Sequence, residues 1–250
     1  MSIVLGIDIG GSGVKGAPVD LDKGEFAAER FRIETPEEST PEAVATVVAE
    51  IVEHFADQIG KDTPIGITVP APVRHGRIPM IANLHADWKG LEAEAFFSER
   101  LGRPVTVVND ADAAGIAEVH YGAAKDTEGV VILTTLGTGI GTAVINDGVL
   151  LPNTELGHIE VDGHDAESRA AKSAKEREDL SYKEWAVRLQ RYYETMQMLF
   201  WPDLFVVGGG VSKKHEKFLP LLDLETPIVP AALLNSAGII GAARMAADRA

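Results

Sequence analysis

The chain has 250 residues, 45% of them hydrophobic and 24% charged, with a formal net charge of −15 at pH 7 and no cysteine. That hydrophobic share is enough for a globular core, and the length suits one large α/β domain or two smaller lobes. The charge argues against nucleic acid as a partner, and the lack of cysteine removes disulfides, thiolate metal sites and thiol nucleophiles. No apolar run reaches membrane-spanning length, and "MSIVLGIDIGG" lacks the basic region and cleavage site of a secretory signal. A cytoplasmic protein with no membrane partner is expected.

In chain order, "IVLGIDIG" reads as a buried strand ending in glycines, with "KGAPVDL" as its hairpin partner. "TPEAVATVVAEIVEHFADQIG" predicts a helix capped by Thr40, with Pro41 at its first position and Gly60 closing it. A strand ("PIGITVPAPV"), a helix ("LEAEAFFSERLG"), a strand ("PVTVVND") and a helix ending at Gly122 follow. "GVVILTTLG" and "GTAVINDGVLL" predict a second hairpin around a glycine-rich loop. "SAKEREDL" reads as a polar segment. Ser181 and Glu184 have capping-box spacing, and Trp185, Leu189, Tyr192, Met196 and Leu199 form a helical apolar stripe for core or subunit contact. "PDLFVVGGGVS" is a strand running into a glycine turn that opens a helix with Lys213, Lys214 and Lys217 near its start, and "NSAGIIGAARMAADRA" is a small-residue helix. The alternation argues for α/β architecture with parallel pairings. The strand, glycine hairpin, strand pattern occurs near residue 10 and again near residue 138, which suggests two related lobes with a cleft between them.

Several motifs carry chemistry. Gly10, Gly11 and Gly13 and Gly137, Gly139 and Gly141 would let backbone N–H groups face a phosphate, each loop adding a hydroxyl, Ser12 or Thr138. Neither has the spacing of a P-loop. Asp8 is placed to hold Mg²⁺ through water. In "VVNDADAAG", Asn109 and Asp110 stand at the carboxyl end of a strand, where Asp110 could take a proton from a sugar hydroxyl while Asn109 orients it; either could instead cap the next helix. "NTELGHIEVDGHDAES" offers Glu155, His158 and Glu167 for sugar hydroxyls, or a solvated acidic loop. Gly209 and Gly210 in "GGGVSKKHEKF" would permit close approach of a purine or phosphate, with Lys213 and Lys214 beside them.

Together, "DIGGSGVKG", "ANLHADWKG", "VVNDADAAG", "LGTGIGTA", "ELGH", "VVGGGVS" and "NSAGIIGAA" resemble the ROK family of sugar kinases and their repressor relatives over essentially the whole chain. The resemblance implies an α/β, two-lobed, actin-like (ribonuclease-H-like) ATPase fold with a hinged cleft. The expected lobes are residues 1–108, with a closing helix at 236–250 packing back on them, and residues 109–235. It implies Asp110 as catalytic base and Asn83, Asn109, Glu155, His158 and Glu167 as glucose contacts. Asp8, Gly10, Gly11, Ser12, Gly13, Lys15, Gly137, Thr138, Gly139, Gly209, Gly210, Lys213 and Lys214 are the expected phosphate or nucleotide contacts, with Mg²⁺ as cofactor. Two departures stand out: Ser12 replaces the family's usual threonine, and the cysteine-rich zinc motif that usually follows "ELGH" is replaced by "IEVDGHDAES", so no zinc is expected. The missing zinc motif, the short length and the stretch from Tyr182 to Phe218 are similar to the glucokinases of the family that use inorganic polyphosphate. They imply glucose as acceptor, polyphosphate and often ATP as donor, and a homodimer. A strictly ATP-dependent hexokinase, a sugar-sensing repressor and an actin-like ATPase are the alternatives.

Overall fold

The computed structural model describes residues 3–250. The chain divides into two compact units, one running to Ala117 and including Ser236–Ala250, the other spanning Glu118–Asn235. The division falls inside a helix, Asp110–Tyr121.

The first unit holds strands β1 (Ile3–Gly10), β2 (Gly13–Asp20), β3 (Glu25–Phe26) and β4 (Phe31–Ile33), helix α1 (Pro41–His54), β5 (Ile65–Val69), α2 (Ala93–Leu101), β6 (Val105–Asn109) and the start of α3 (Asp110–Tyr121). The sheet order is β3-β2-β1-β5-β6, with β4 also on β2. β1 and β2 are antiparallel with Gly10 opposite Gly13, so Gly11 and Ser12 form a two-residue turn; β1, β5 and β6 run parallel. β5 is buried at every residue, as a strand covered on both faces must be. α1 begins as expected, the Thr40 hydroxyl accepting from Ala43 N at 3.3 Å and Pro41 opening the helix. It stops at His54, before Gly60, in a backbone turn capped by the N–H of Phe55. Its buried face, Val44, Val48 and Ile51, packs in one core with Leu5, Ile7, Ile67, Trp88 and Phe97.

The second unit holds β7 (Val130–Leu136), β8 (Ile140–Asn146), β9 (Val149–Leu151), β10 (Glu160–Val161), β11 (His164–Asp165), α4 (Ala166–Ala170), α5 (Lys172–Arg177), α6 (Tyr182–Phe200), β12 (Leu204–Gly208) and β13 (Ile228–Pro230). Its main sheet has the order β13-β12-β7-β8-β9, again an antiparallel hairpin flanked by parallel strands. The apparent polar segment is α5. The capping box of α6 is complete: Glu184 N donates to Ser181 Oγ, and Ser181 N donates to Glu184 Oε2. Trp185, Leu189, Tyr192 and Met196 are buried with Phe205, Val207 and Phe218. Leu199 departs from the stripe and is exposed; Phe200, four residues after Met196, packs against this core instead, and the helix ends at Trp201 in a left-handed cap. After Gly209 the chain forms 3₁₀ turns over Gly210–Lys217, broken at Lys214, where an α-helix was expected.

The last helix, α7 (Ala237–Asp248), returns to the first unit and lies across β1, β5 and β6. Its small residues have a steric reason. Carbonyls of Ile239 and Ala242 stand where side chains on Gly6 and Gly66 would be, and Gly241 meets the carbonyl of Ala113 in the same way. Glycine at these three points lets the backbone of α7 touch β1, β5 and α3.

Candidate active site

In the first unit, Asp8 sits on β1 directly opposite Lys15 on β2 and beside Thr68 on β5. Its two carboxylate oxygens accept from Lys15 Nζ at 3.2 Å and from Thr68 Oγ1 at 2.8 Å. The turn that follows is held by Thr35 Oγ1, which donates to Gly10 O at 2.5 Å, and by Arg32, which donates to Ser12 O at 2.7 Å. None of Gly10, Gly11 and Gly13 has a left-handed φ. Steric room favours glycine at position 13, where a side chain would enter the Arg32 guanidinium, whereas one on Gly11 would only touch the carbonyl of Asn83 at 3.7 Å. Asn83 thus lies over the turn through its backbone.

At the end of β6, Asn109 is a helix cap. Its Oδ1 accepts from Ala111 N at 2.8 Å and Asp112 N at 3.1 Å, and its Nδ2 donates to Ala71 O. Asp110 is the first residue of α3, half-buried, with Oδ1 accepting from Ala111 N at 2.9 Å. The cap fixes the turn that presents Asp110.

The second unit brings Glu155, His158 and Glu167 together. His158 closes a 3₁₀ turn, Leu156–His158, whose N–H groups are held by Glu155 O and by Thr142 Oγ1. Gly157 is required there because the carbonyl of Ile140 occupies the place of a side chain. His158 Nδ1 is 2.8 Å from Asp165 Oδ2, and Asp165 also caps α4 by accepting from Ser168 N at 3.1 Å. The hydrogen bond to Asp165 is the largest influence on His158 and raises its pKa, with Glu167 and Glu155 adding to the rise against partial burial. Partial burial is the largest single influence on Asp165 and pushes it up, but the bonds from His158 and Ser168 outweigh it and its pKa is lowered. Burial raises the Glu155 carboxyl; His158 opposes the rise and Glu167 reinforces it. His158, Asp165 and Glu167 each bring a ligand atom within 4.8 Å of the other two, an oxygen and nitrogen set that could take a metal ion.

Glu167 also reaches the glycine turn between β7 and β8. Its Oε2 accepts from Ile140 N at 2.9 Å and fills the place a side chain on Gly139 would need. Ser173 secures the same turn from α5, donating from N to Gly137 O at 3.1 Å and from Oγ to Thr138 O at 2.5 Å. Gly209 has φ +79° and packs against the backbone of Leu136, so the turn after β12 lies next to the turn after β7. A side chain on Gly137 or Gly210 would meet nothing within 4 Å. This leaves an uncovered backbone surface, which is what a phosphate cradle needs. Lys213 and Lys214 are exposed beyond it, on the broken 3₁₀ turns.

Sequence reasoning missed Asp165 and Ser173. Asp165 stands in the quoted motif, but nothing in its spacing says that it reaches back to His158.

The match to known proteins covers the same ground. The ROK family model matches residues 4–175. The polyphosphate glucokinase of Mycobacterium tuberculosis is 50% identical over 240 residues, covering 96% of this chain and 89% of that protein. That of Mycobacterium leprae is 48% identical, covering 96% of this chain and 73% of the relative. Among solved structures, the inorganic polyphosphate/ATP-glucomannokinase of Arthrobacter sp. strain KM superposes with a TM-score of 0.94 at 50% identity, covering all of both chains. The ROK glucokinase of Streptomyces griseus, solved with glucose and AMPPNP, shares the fold at a TM-score of 0.83 and 24% identity, covering 98% of this chain and 99% of that one. With its glycine hairpins, its "ELGH" turn and its closing helix all in the expected elements, this chain belongs to the ROK family.

Proposed function

We propose that this protein is a polyphosphate glucokinase, transferring a phosphoryl group from inorganic polyphosphate or ATP to O6 of glucose. The observation that carries the reading is half-identity along nearly the full chain to polyphosphate glucokinases, joined to the near-complete superposition on a polyphosphate/ATP-glucomannokinase.

Phosphoryl transfer asks a protein for positioning and charge neutralisation more than for covalent chemistry. Asp110 is the general base that accepts the proton of the attacking glucose hydroxyl, and the Asn109 cap holds it in place. Glu155, His158 and Glu167 hold other glucose hydroxyls, with Asn83 contributing from its loop. The donor phosphates lie on the two glycine hairpins, with Ser12, Lys15, Thr138, Gly209, Gly210, Lys213 and Lys214. Asp8, beside the first turn and already paired with Lys15 and Thr68, would help to hold Mg²⁺ through water. A metal ion bound there would neutralise charge on the donor phosphates. No structural zinc is needed, because Asp165 fixes the His158 ring. The protein works in the cytoplasm as a homodimer.

The test is a matrix of donors against sugars, with Asp110→Asn beside the parent. We expect Mg²⁺-dependent glucose phosphorylation with polyphosphate and ATP. The variant should lose about 10²–10⁴-fold in kcat while glucose binding persists. Near-normal turnover in Asp110→Asn would leave Asp110 a structural residue only. Stoichiometric zinc on His158, Asp165 and Glu167 after chelator treatment would overturn the zinc-free reading.

A further inference from the structure

The sequence presents two separate basic clusters, one at Lys172 and Lys175 and one at Lys213, Lys214 and Lys217. The fold makes them neighbours. Lys175 Nζ lies 4.6 Å from the centre of the Tyr182 ring, and Lys217 Nζ lies 5.5 Å from the centre of the same ring. Tyr182 is fixed from behind by Phe218, stacked nearly parallel at 6.2 Å, and by the edge of Trp185. Glu176 sees the same group. Its carboxyl is held below the ordinary range first by its hydrogen bond to Lys172, then by the fields of Lys172, Lys175 and Lys214.

The cluster is anchored to the glycine turn. Ser173, between Lys172 and Lys175, holds the carbonyls of Gly137 and Thr138, and Gly209 packs on Leu136 at the base of that turn. The lysines therefore form one basic strip around Tyr182, tied to the glycine turn through Ser173. Concentrating like charges costs free energy, and two ammonium groups sharing one aromatic ring soften that cost only in part. In a chain of net charge −15, residues 172–176 and 213–217 hold five lysines against two carboxylates, Glu176 and Glu216.

We propose that this strip binds the distal phosphates of a polyphosphate chain whose reacting end lies at the glycine turn. The proposal rests on the reading of the protein as a polyphosphate glucokinase and adds a length-sensing subsite to it. A short donor, ATP or tripolyphosphate, ends near the turn and gains nothing from Lys175 and Lys217. A long chain runs along the strip, so affinity rises with chain length.

The test uses the full chain with ATP, tripolyphosphate and long-chain polyphosphate as donors, and measures binding of long-chain polyphosphate separately from turnover. In the parent, KM per chain should fall from tripolyphosphate to the long chain. Lys175→Glu with Lys217→Glu should raise KM for the long chain at least about tenfold and weaken its binding in parallel. KM for ATP and tripolyphosphate should stay within about twofold, since exposed charges reach little beyond a Debye length. Lys175→Arg with Lys217→Arg should retain the long-chain preference. Lys61→Glu with Lys125→Glu, the same charge change at other exposed positions, should have little effect. The milder Lys175→Gln with Lys217→Gln serves if the reversal impairs folding.

Equal losses with all three donors, or no loss with the long chain, would overturn the strip. A parent that uses ATP but no polyphosphate would overturn the enzyme reading and the strip with it. A parent that uses polyphosphate without length dependence would overturn the strip alone.

Discussion

Asp165 holds two backbone and side-chain partners at once, Ser168 N and His158 Nδ1, and so ties the start of α4 to the "ELGH" turn. The His158 pKa is raised, so the charged pair is fully present below the ordinary histidine value and is lost as pH rises through the raised one; at the acid end it is lost as pH falls through the lowered value of Asp165. Asp165→Asn should let the His158 pKa fall back toward about 6.5, read from the imidazole shifts by NMR, and should raise glucose KM severalfold while ATP KM holds. An unmoved His158 titration would show that the bond does not form in solution. The two glutamates differ in what else they touch. Glu155→Gln should affect glucose alone, whereas Glu167→Gln should raise KM for both glucose and donor, because Glu167 also holds Ile140 N of the glycine turn. Each lost charged hydrogen bond corresponds to roughly 1.5–3 kcal/mol. Identical kinetic patterns in the two variants would refute that division.

At the scale of elements, two arrangements hold the framework of the site. The first is the glycine contact of α7 with its sheet. Gly66→Ala puts a methyl group into the carbonyl of Ala242 and forces α7 off β5. Overpacking of this kind costs about 1–3 kcal/mol, and the melting temperature should drop by several degrees. An unchanged melting curve would mean that α7 is free to shift. The second is Glu118 on α3, fully buried, whose carboxylate accepts from Ala123 N, Ala232 N and Leu233 N at 2.7–3.0 Å. Glu118→Ala leaves three backbone donors without that partner and opens a cavity. We expect a loss of about 3 kcal/mol or more, measured by denaturant unfolding, and local loosening of residues 231–233 by hydrogen exchange. Glu118→Gln should recover part of it.

At the scale of the whole molecule, the hairpin repeat seen in the sequence corresponds to a repeated sheet. Reading from the edge of each hairpin, β3-β2-β1-β5-β6 and β9-β8-β7-β12-β13 have the same order and the same switch from antiparallel to parallel pairing. Each sheet thus carries its glycine turn at the same point of its own architecture. The net charge of −15 makes donor capture a local matter, and salt should weaken the use of long polyphosphate more than the binding of neutral glucose. A salt-independent KM for long polyphosphate would show that electrostatic attraction is not what holds the donor.

Local chemistry was legible in the sequence. The Thr40 cap, the Ser181–Glu184 capping box, both glycine hairpins, the buried strands and the family motifs all depend on residues close together in the chain, and their spacing specifies them. The end of α1 is not marked in the sequence, because a backbone turn after His54, with no glycine, closes it. After Gly209, which packs on Leu136, the chain runs in 3₁₀ turns broken at Lys214 and not in a regular helix, and nothing in the local spacing distinguishes the two. The purpose of several glycines lay outside the sequence altogether: Gly6, Gly66, Gly157 and Gly241 answer to carbonyls far away in the chain. The same is true of the Asp165 bond to His158, the reach of Glu167 to Ile140 N, and the meeting of Lys175 and Lys217 on Tyr182. Spacing along a chain determines what a segment can become. Which side chains share a surface is decided only when packing brings distant segments within a few ångströms, the range over which hydrogen bonds and steric exclusion act.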